Sequence, residues 1–391
     1  MKRVVVTGLG VVSPFGTGLK AYWSGLAAGT CAIRPLSLID TAGFRCGIGA
    51  EVPELTGGSR RRSRADRLAL LAAREAVEDA GLGRHERTDT ALVVGAVGGG
   101  MLEAEAWYWA RSRSGADGHP GVFRSVLPYS HAEVVGHALG LGGPRESVVA
   151  ACSSGAAAVS LAADLIADGV VPCAIAGGAD ALTRICYMGF NALKLLDTAP
   201  CRPFDRDRRG MSIGEGAAFL VLEDAESARA RGVRVYAELR GSAITTDAYH
   251  ATSPHPEGDG MTRAMRSALA RAHTAPHEVV YVNAHGTATP QNDRIEARSI
   301  RDVFGDGRVL VSSTKSMIGH TMAAAGSLEA TATILAVAHD LVPPTANHET
   351  PDPDVAFDCV PKTARDVAVD VAVSNSFGFG GQNVTLVFAK S

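Results

Sequence analysis

The sequence predicts a layered α/β protein with much parallel strand pairing. Three observations carry this: short Val/Ile/Leu runs recur along the whole chain, Ala-rich helical patterns separate them, and Gly is abundant (44 residues) while aromatics are scarce (5%). Strands buried on both faces read as near-continuous apolar runs, and the helices between them read as period-3.6 patterns. At 391 residues, 46% hydrophobic and 20% charged, the chain can build a large core. A prior of ~150 residues per domain gives two or three units.

In chain order, buried strands are predicted at 4–6, 90–94, 147–151, 173–176, 218–222, 235–239, 279–282, 309–312, 371–374 and 384–388. Helices are predicted at 67–80, 153–167, 261–272, 291–303 and 323–338. The two parts echo each other. Strand 147–151 leads to Cys152 and an Ala-rich helix, and that part closes as GEGAAFLVLE; strand 309–312 leads through STKSMIGHT to another Ala-rich helix, and the chain closes as GGQNVTLVF. This reads as a faint internal duplication, dividing near Gly232 into halves 1–232 and 233–391. Segments 40–66 and 101–130 read as insertions that cover a core. The run SRRRSRADR (59–67) reads as a solvated face, with a docking patch for an acidic partner as the sharper alternative.

Composition excludes several function classes. A net charge of −3 gives no reason to invoke nucleic acid or an anionic membrane surface. Seven scattered cysteines without a C-x-x-C pair argue against a disulfide framework or zinc site and fit a reducing cytoplasm. The start, MKRVVVTGLGVVSPFG, has two basic residues before an apolar stretch, but Gly8, Gly10 and Ser13-Pro14 break it early, so it reads as a strand and turn, not a signal peptide. No run approaches the ~18 apolar residues of a membrane span. A soluble, cytoplasmic protein is expected.

Residues 148–159, VVAACSSGAAAV, place a cysteine where an apolar run stops. With a helix starting at Ser153, Cys152 lies at its N-terminal end, where free N–H groups and the dipole favour negative charge. Such a setting can lower a thiol pKa from ~8.5 toward neutrality. Ser153, Ser154 and Gly155 leave the sulfur accessible, and the apolar helix behind is expected to be buried. From this stretch alone a core cysteine is the equal alternative. Cys31, Cys46, Cys173, Cys186, Cys201 and Cys359 have no comparable setting and read as structural.

A nucleophile needs partners. His85, His119, His255, His273, His277, His339 and His348 sit in polar loops or mixed helices and read as structural. His131 and His137, six residues apart, fall on different helix faces and do not make a metal pair. His285, in YVNAHGTATPQND, directly follows a strand, and His320, in SSTKSMIGHTMAAAGSLEA, lies in a Gly-rich turn between a strand and an Ala-rich helix. Both occupy strand-end loops, as Cys152 does, and active sites of layered α/β folds gather there. Lys315 can set the electrostatics of such a pocket, with Glu329 on the next helix's polar face holding it; an ordinary salt bridge is the alternative. The loop NSFGFGGQN (375–383) sets Gly378, Gly380 and Gly381 around two phenylalanines, which allows a tight, mobile turn with an inward N–H. A plain Gly-rich turn is the alternative.

ACSSG, NAHGTATPQND, STKSMIGHTMAAAGSLEA and NSFGFGG, in this order and spacing, resemble the β-ketoacyl-(acyl carrier protein) synthases, and within them the Cys-His-His elongating group of type II fatty-acid and polyketide ketosynthases. MKRVVVTGLGVVSPFG, CRPFDRDRRGMSIGEGAAFLVLE and DAYHATSPHPEGDG match as well, so the resemblance spans essentially the whole chain. It implies the thiolase fold, a duplicated five-layer α/β/α/β/α arrangement, with the nucleophile in the first half and both histidines in the second.

The resemblance also implies roles. Cys152 would receive an acyl chain, and the N–H groups of Cys152 and Phe379 would form its oxyanion hole. His285 and His320, as neutral donors, would bind the malonyl thioester oxygen and stabilise the enolate left by CO₂, with Lys315, held by Glu329, keeping the pair correctly charged. Thr287 and Thr289 would hydrogen-bond the phosphopantetheine arm. Phe379 would swing as an acyl gate, and Phe190 in YMGFNALK would line the same channel. No metal and no cofactor is implied, since substrates ride on the phosphopantetheine of acyl carrier protein. Arg61, Arg62, Arg64 and Arg67 become contacts for that acidic partner. The second subunit would be another copy, or a chain-length-factor-like partner in a heterodimer.

Two positions depart from the family's pattern. Gln382 stands where Thr or His is frequent after GFGG, and Ala288 where Ser is frequent between the threonines. Neither removes a reacting atom, but Gln382 puts the gate's details in doubt. A biosynthetic thiolase would need a second cysteine in the C-terminal loop, which NSFGFGG lacks, and a non-catalytic chain-length partner would lack Cys152. An acyltransferase that does not decarboxylate would have no use for His285, His320 and Lys315 together. These motifs do not separate fatty-acid from polyketide synthesis, nor do they set acyl length.

Overall fold

The computed structural model describes residues 2–53, 55, 62–115, 120–307 and 309–391. All ten predicted strands form. The first half holds β1 (Val4–Ser13), β2 (Thr90–Gly95), β3 (Arg145–Val148), β4 (Cys173–Asp180) and β5 (Gly216–Asp224). The second holds β6 (Ala237–Thr246), β7 (Tyr281–Asn283), β8 (Leu310–Ser312), β9 (Val371–Gly378) and β10 (Gln382–Ala389). The helices that position the site are α1 (Arg64–Asp79), α2 (Ser154–Ala167), α3 (Arg184–Ala192), α4 (Asp259–Arg271), α5 (Pro290–Phe304) and α6 (Ala325–His339). Of these, α3 has no predicted counterpart; its N-cap is Thr183, whose side chain accepts the Cys186 N–H. The strand expected at 147–151 ends at Val148, so the chain leaves the sheet before Cys152.

Across the sheet the order is β8-β7-β9-β10-β6-β1-β5-β4-β2-β3. Read outward from the centre, one half runs 1-5-4-2-3 and the other 6-10-9-7-8. The senses repeat too. β1·β5 and β5·β4 are antiparallel, and β4·β2 and β2·β3 parallel. β6·β10 and β10·β9 are antiparallel, and β9·β7 and β7·β8 parallel. β1 and β6 pair antiparallel at the seam. Gly232, at φ +65°, closes the helix Ala225–Arg231 between the two copies.

Side-chain alternation separates the layers. Ala91 and Val93 of β2 face the central core with α2 and α6, while Leu92 and Val94 face the outer core with α1. In the other copy Ala372 of β9 faces inward, and Val371 and Val373 face the outer core with α4 and α5. The result is α1, half-sheet, α2 with α6, half-sheet, then α4 with α5. This is the duplicated five-layer arrangement expected. Of the two central helices, α6 is buried from Ala325 to Val337, while α2 is buried except along an edge where Leu161 is exposed and Asp164 pairs with Arg271. That overturns one expectation: α6 has no polar face, and Glu329 is buried in it. In the 101–130 segment, helix Met101–Ser114 buries only Ala104 and leaves Tyr108 and Trp109 exposed, with Leu102 packed against a core cluster.

Candidate active site

The duplication sets two equivalent turns at the centre of the molecule. Ala151–Ser153 leads into α2 and Met322–Ala324 into α6. Each opens on a non-glycine residue in the left-handed region, Ala151 at φ +48° and Met322 at +56°. Such strain persists only where surrounding packing imposes it. Here Gly155 and Gly326 bring the turns close: a Cβ on Gly155 would stand 2.7 Å from Ala323 O, and one on Gly326 2.7 Å from Ala156 N. Cys152 sits second in its turn, and its counterpart in the other turn is Ala323.

His285 and His320 follow β7 and β8 and converge on this centre, their rings 5.4 Å apart and nearly perpendicular at 88°. Their hydrogen bonds assign the tautomers. Lys315 Nζ donates to His285 Nδ1 at 3.3 Å, and the Met322 N–H donates to His320 Nδ1 at 3.1 Å. With both Nδ1 atoms accepting, each ring carries its proton on Nε2. Burial first, then the Lys315 charge, holds both histidines well below the usual ~6.5, so both are neutral. Lys315 is in turn ion-paired with Glu329, to which the Ser376 hydroxyl also donates at 3.4 Å.

Cys152 lies beside this pair at the floor of a cavity of about 310 Å³ lined also by His285, His320, Thr287, Thr289 and Phe379. A second cavity of about 280 Å³ lies behind it, walled by Val97, Cys186, Gly189, Phe190, Leu193 and Met322. Cys152 and Phe379 line both cavities, and the Phe379 ring packs against Phe190 at 5.7 Å, so Phe379 stands between them. The turn's own hydrogen bonds run from Ser153 N–H to Ala150 O and from Ser154 N–H to Ala151 O, which leaves the Cys152 N–H outside them. The thiol itself departs from expectation. Burial pushes it up to about 11, against the opposing pull of the Phe379 N–H and Lys315. Helix-terminal placement is real, but desolvation outweighs it, and the resting sulfur is a thiol.

Known proteins match this chain along its length. The family model described as "Beta-ketoacyl synthase, N-terminal domain" matches residues 1–228, and "Beta-ketoacyl synthase, C-terminal domain" matches 236–349. The chain belongs to the β-ketoacyl synthase family. Proteins named 3-oxoacyl-[acyl-carrier-protein] synthase 2 from Synechocystis sp. and Coxiella burnetii are each 40% identical over all of this chain and 98% and 99% of their own lengths. Among solved structures, the ishigamide ketosynthase/chain length factor superposes with a TM-score of 0.96 at 36% identity, covering 100% of this chain and 99% of that one. A type II polyketide acyl carrier protein in complex with its ketosynthase, bound to a hexaketide, gives 0.91 at 30% identity with full coverage of both. The fold is thus the thiolase fold, and the synthase is an acyltransferase-type condensing enzyme.

Cys152, His285, His320, Thr287, Thr289, Phe379 and Phe190 line the two cavities, with Lys315 bonded to His285 behind them and Glu329 to Lys315. The two threonine hydroxyls sit 2.9 Å apart at the mouth. The two departures stand off the lining of the larger of these cavities. Ala288, at φ +65°, turns its methyl into a small apolar cluster with Ile33, Ala50 and Cys201. Gln382 pairs across the strands with Thr246, and neither residue lines the larger cavity.

The basic run needs correction: Arg64 is held inside by bonds to Glu215 (2.6 Å) and Val52 O (2.8 Å), so it is not a docking residue. Arg67 donates to Leu55 O at 2.9 Å, Arg62 is half-buried, and Arg61 lies outside the described residues. Sequence reading missed two buried carboxylates behind His285. Glu296 accepts the N–H groups of His285 and Gly286, both at 2.8 Å, and Asp293 accepts the Ala288 N–H at 3.1 Å. The available signal was their i, i+3 spacing at the start of α5, which aims both carboxylates at the preceding loop.

Proposed function

We propose that this chain is the catalytic ketosynthase subunit of a type II system, extending an acyl chain held on Cys152 by decarboxylative condensation with malonyl-acyl carrier protein. The observation that carries the reading is the pair of neutral Nε2–H donors beside a buried thiol at the junction of two cavities. The apolar rear cavity takes the acyl chain. The outer one takes the phosphopantetheine arm, with Thr287 and Thr289 as its hydrogen-bonding partners.

In the first half-reaction the sulfur attacks the carrier thioester, and the new oxyanion is held by the N–H groups of Cys152 and Phe379. The thiol's proton leaves with the departing carrier thiol, so no strong base is needed. A single such donor is worth ~2.7–4 kcal/mol. In the second, the malonyl C–C bond breaks and its electron pair moves onto the thioester oxygen, where His285 and His320 Nε2–H stabilise the enolate. That carbon attacks the acyl-Cys152 carbonyl, and the sulfur leaves and regains a proton from solvent. Loss of CO₂ supplies the driving force, and the protein brings no cofactor of its own. Lys315 keeps the histidines neutral by its charge, and Glu329 keeps Lys315 in place.

Cys152 assigns the chain to the catalytic role in any pair with a cysteine-lacking partner. A second subunit fits the outer edge of β3, which among the described residues pairs only with β2. Exposed Val149 lies just past that edge, exposed Ile185 and Met188 lie on α3, and exposed Leu193, at its C-terminal end, lines the rear cavity.

Intact-mass analysis after incubation with medium-chain acyl-carrier proteins and malonyl-carrier protein, with and without a cysteine-lacking partner, tests the reading. An adduct on Cys152 followed by a product two carbons longer is expected, with no adduct in Cys152→Ala. In His285→Ala the adduct should form while extension drops by roughly 100-fold or more. An adduct that never extends, even with the partner present, would leave a non-elongating acyltransferase.

A further inference from the structure

The two central turns are structural twins, yet only one offers its second N–H to a substrate. Each is met by the end of a strand from the opposite half, and the two strands are equivalent eight-residue members of the duplication, β9 and β4. At the Cys152 turn the strand ends in Gly378, where an added Cβ would stand 3.2 Å from Cys152 N and 2.8 Å from Ala150 O. At the other turn the strand ends in Asp180, only 1% exposed. Asp180 Oδ2 accepts the Ala323 N–H at 2.9 Å, and Oδ1 accepts the Gly98 N–H at 2.7 Å. The Asp180 carboxylate therefore occupies, in the silent turn, the place that an oxyanion takes in the active one.

The silent turn is not idle. Its first residue, Met322, donates its N–H to His320 Nδ1, and the adjacent N–H, that of Ala323, is the one held by Asp180. Met322 also sits at positive φ, a conformation that reverts unless something holds it. We propose that Asp180 is a positioning residue for condensation: by holding the Ala323 N–H it locks the turn whose Met322 N–H keeps His320 as the Nε2–H donor. The same carboxylate ties Gly98 to this turn, so Val97 and Met322, facing walls of the rear cavity, are set by one group. Behind it lies buried His131, itself bonded through Nδ1 to Asp66 at 2.7 Å. A purely structural carboxylate would support both half-reactions equally. Asp180 hydrogen-bonds the Ala323 and Gly98 N–H groups and reaches Cys152 only through its charge, which raises the thiol, so its loss should slow extension more than acyl transfer and split the two.

The inference rests on the proposed condensation, and the test separates the two. Full-length Asp180→Ala and Asp180→Asn are compared with the unaltered chain in acyl transfer to Cys152, in malonyl-dependent extension, and in the ¹⁵N spectrum of labelled His320. Acyl transfer should stay within about twofold. Extension kcat should fall roughly 10–100-fold in Asp180→Ala, with KM for malonyl-carrier protein little changed, and less in Asp180→Asn, which keeps one acceptor oxygen. The His320 spectrum should show loss of the single Nε2–H tautomer. Equal loss of both half-reactions, unchanged extension, an unchanged tautomer, or failure of both variants to fold would overturn the assignment. If the unaltered chain does not extend at all, the condensation reading fails instead, and the tautomer measurement still decides Asp180.

Discussion

At the scale of single residues, burial decides the chemistry more than charge does. Cys152 sits at a helix terminus beside Lys315, yet desolvation wins and its pKa is pushed up to about 11. Alkylation by iodoacetamide should therefore rise by about tenfold per pH unit from pH 7 to near 10, without a plateau around ~8.5, the ordinary thiol value. A plateau at or below neutrality would show a stable thiolate and reverse this reading. The histidines work in the other direction. Their pKa values are lowered by burial and by Lys315, and the neutral form is the working one. Activity is thus lost only as pH falls through those lowered values, so the acid limb of malonyl decarboxylation should lie below ~6.5. Lys315→Met removes one lowering influence and should move that limb upward, while Glu329→Gln leaves Lys315 less firmly placed and should reduce the rate. A limb that stays put in Lys315→Met would show that burial alone keeps the rings neutral. For stability the sign is the same: unfolded histidines take up protons near 6.5 that the folded ones refuse, so these two residues favour unfolding as pH drops below that value. Buried Glu296, raised to about 8, opposes them, since it holds a proton in the folded state that the unfolded chain releases on rising above ~4.3.

At the scale of elements, the regular parts were legible and the junctions were not. Strands such as 90–94 and 371–374 announce themselves as β-branched runs, and their inward and outward alternation matches the two cores they face. Cys152 and His285 could be read as strand-end residues because each closely follows such a run, and His320 because it lies in the Gly-rich turn between a strand and an Ala-rich helix. What periodicity cannot show is contact between distant segments. Arg64 looked like a surface charge in SRRRSRADR, but its partner Glu215 lies 151 positions away. Glu329 looked like a polar-face residue because a lone acid in an Ala-rich helix gives no sign that both flanks are enclosed. The strand end at Gly378 gives the element-scale prediction. Its φ is not in the left-handed region, so alanine is conformationally permitted, but the methyl would stand against Cys152 N and Ala150 O. Gly378→Ala should therefore cut acyl transfer to Cys152 by roughly 100-fold or more, the cost of losing an oxyanion donor. Decarboxylation of malonyl-carrier protein, which uses the histidines, should be much less affected. Equal loss of both reactions would mean that the methyl distorts the whole centre and does not simply block the hole.

At the scale of the whole molecule, duplication explains why so few residues carry the chemistry. One α/β unit is used twice, and the copies differ where it matters: Cys152 against Ala323, and Gly378 against Asp180. The copies also differ at their outer edges. β8 is capped by a bridge from Leu310 to Asp358, whereas β3 presents an edge unpaired among the described residues, with Val149 60% exposed beside it. A bare strand edge invites pairing with another chain. Light scattering should accordingly give about twice the 40.5 kDa of the chain when it is expressed alone, or a one-to-one complex when a cysteine-lacking partner is present. Val149 is solvent-exposed in the single chain, so Val149→Asp should change that chain's stability by no more than ~0.5 kcal/mol. It should, however, weaken the pair by placing a charge against the joined edge. Because exposed Leu193, at the C-terminal end of α3, lines the rear cavity, the same variant should shorten the acyl chains accepted or slow their transfer, even with Cys152 untouched. A monomer that elongates at full rate would show that the cavity is complete within one chain and that the β3 edge has no part in the reaction.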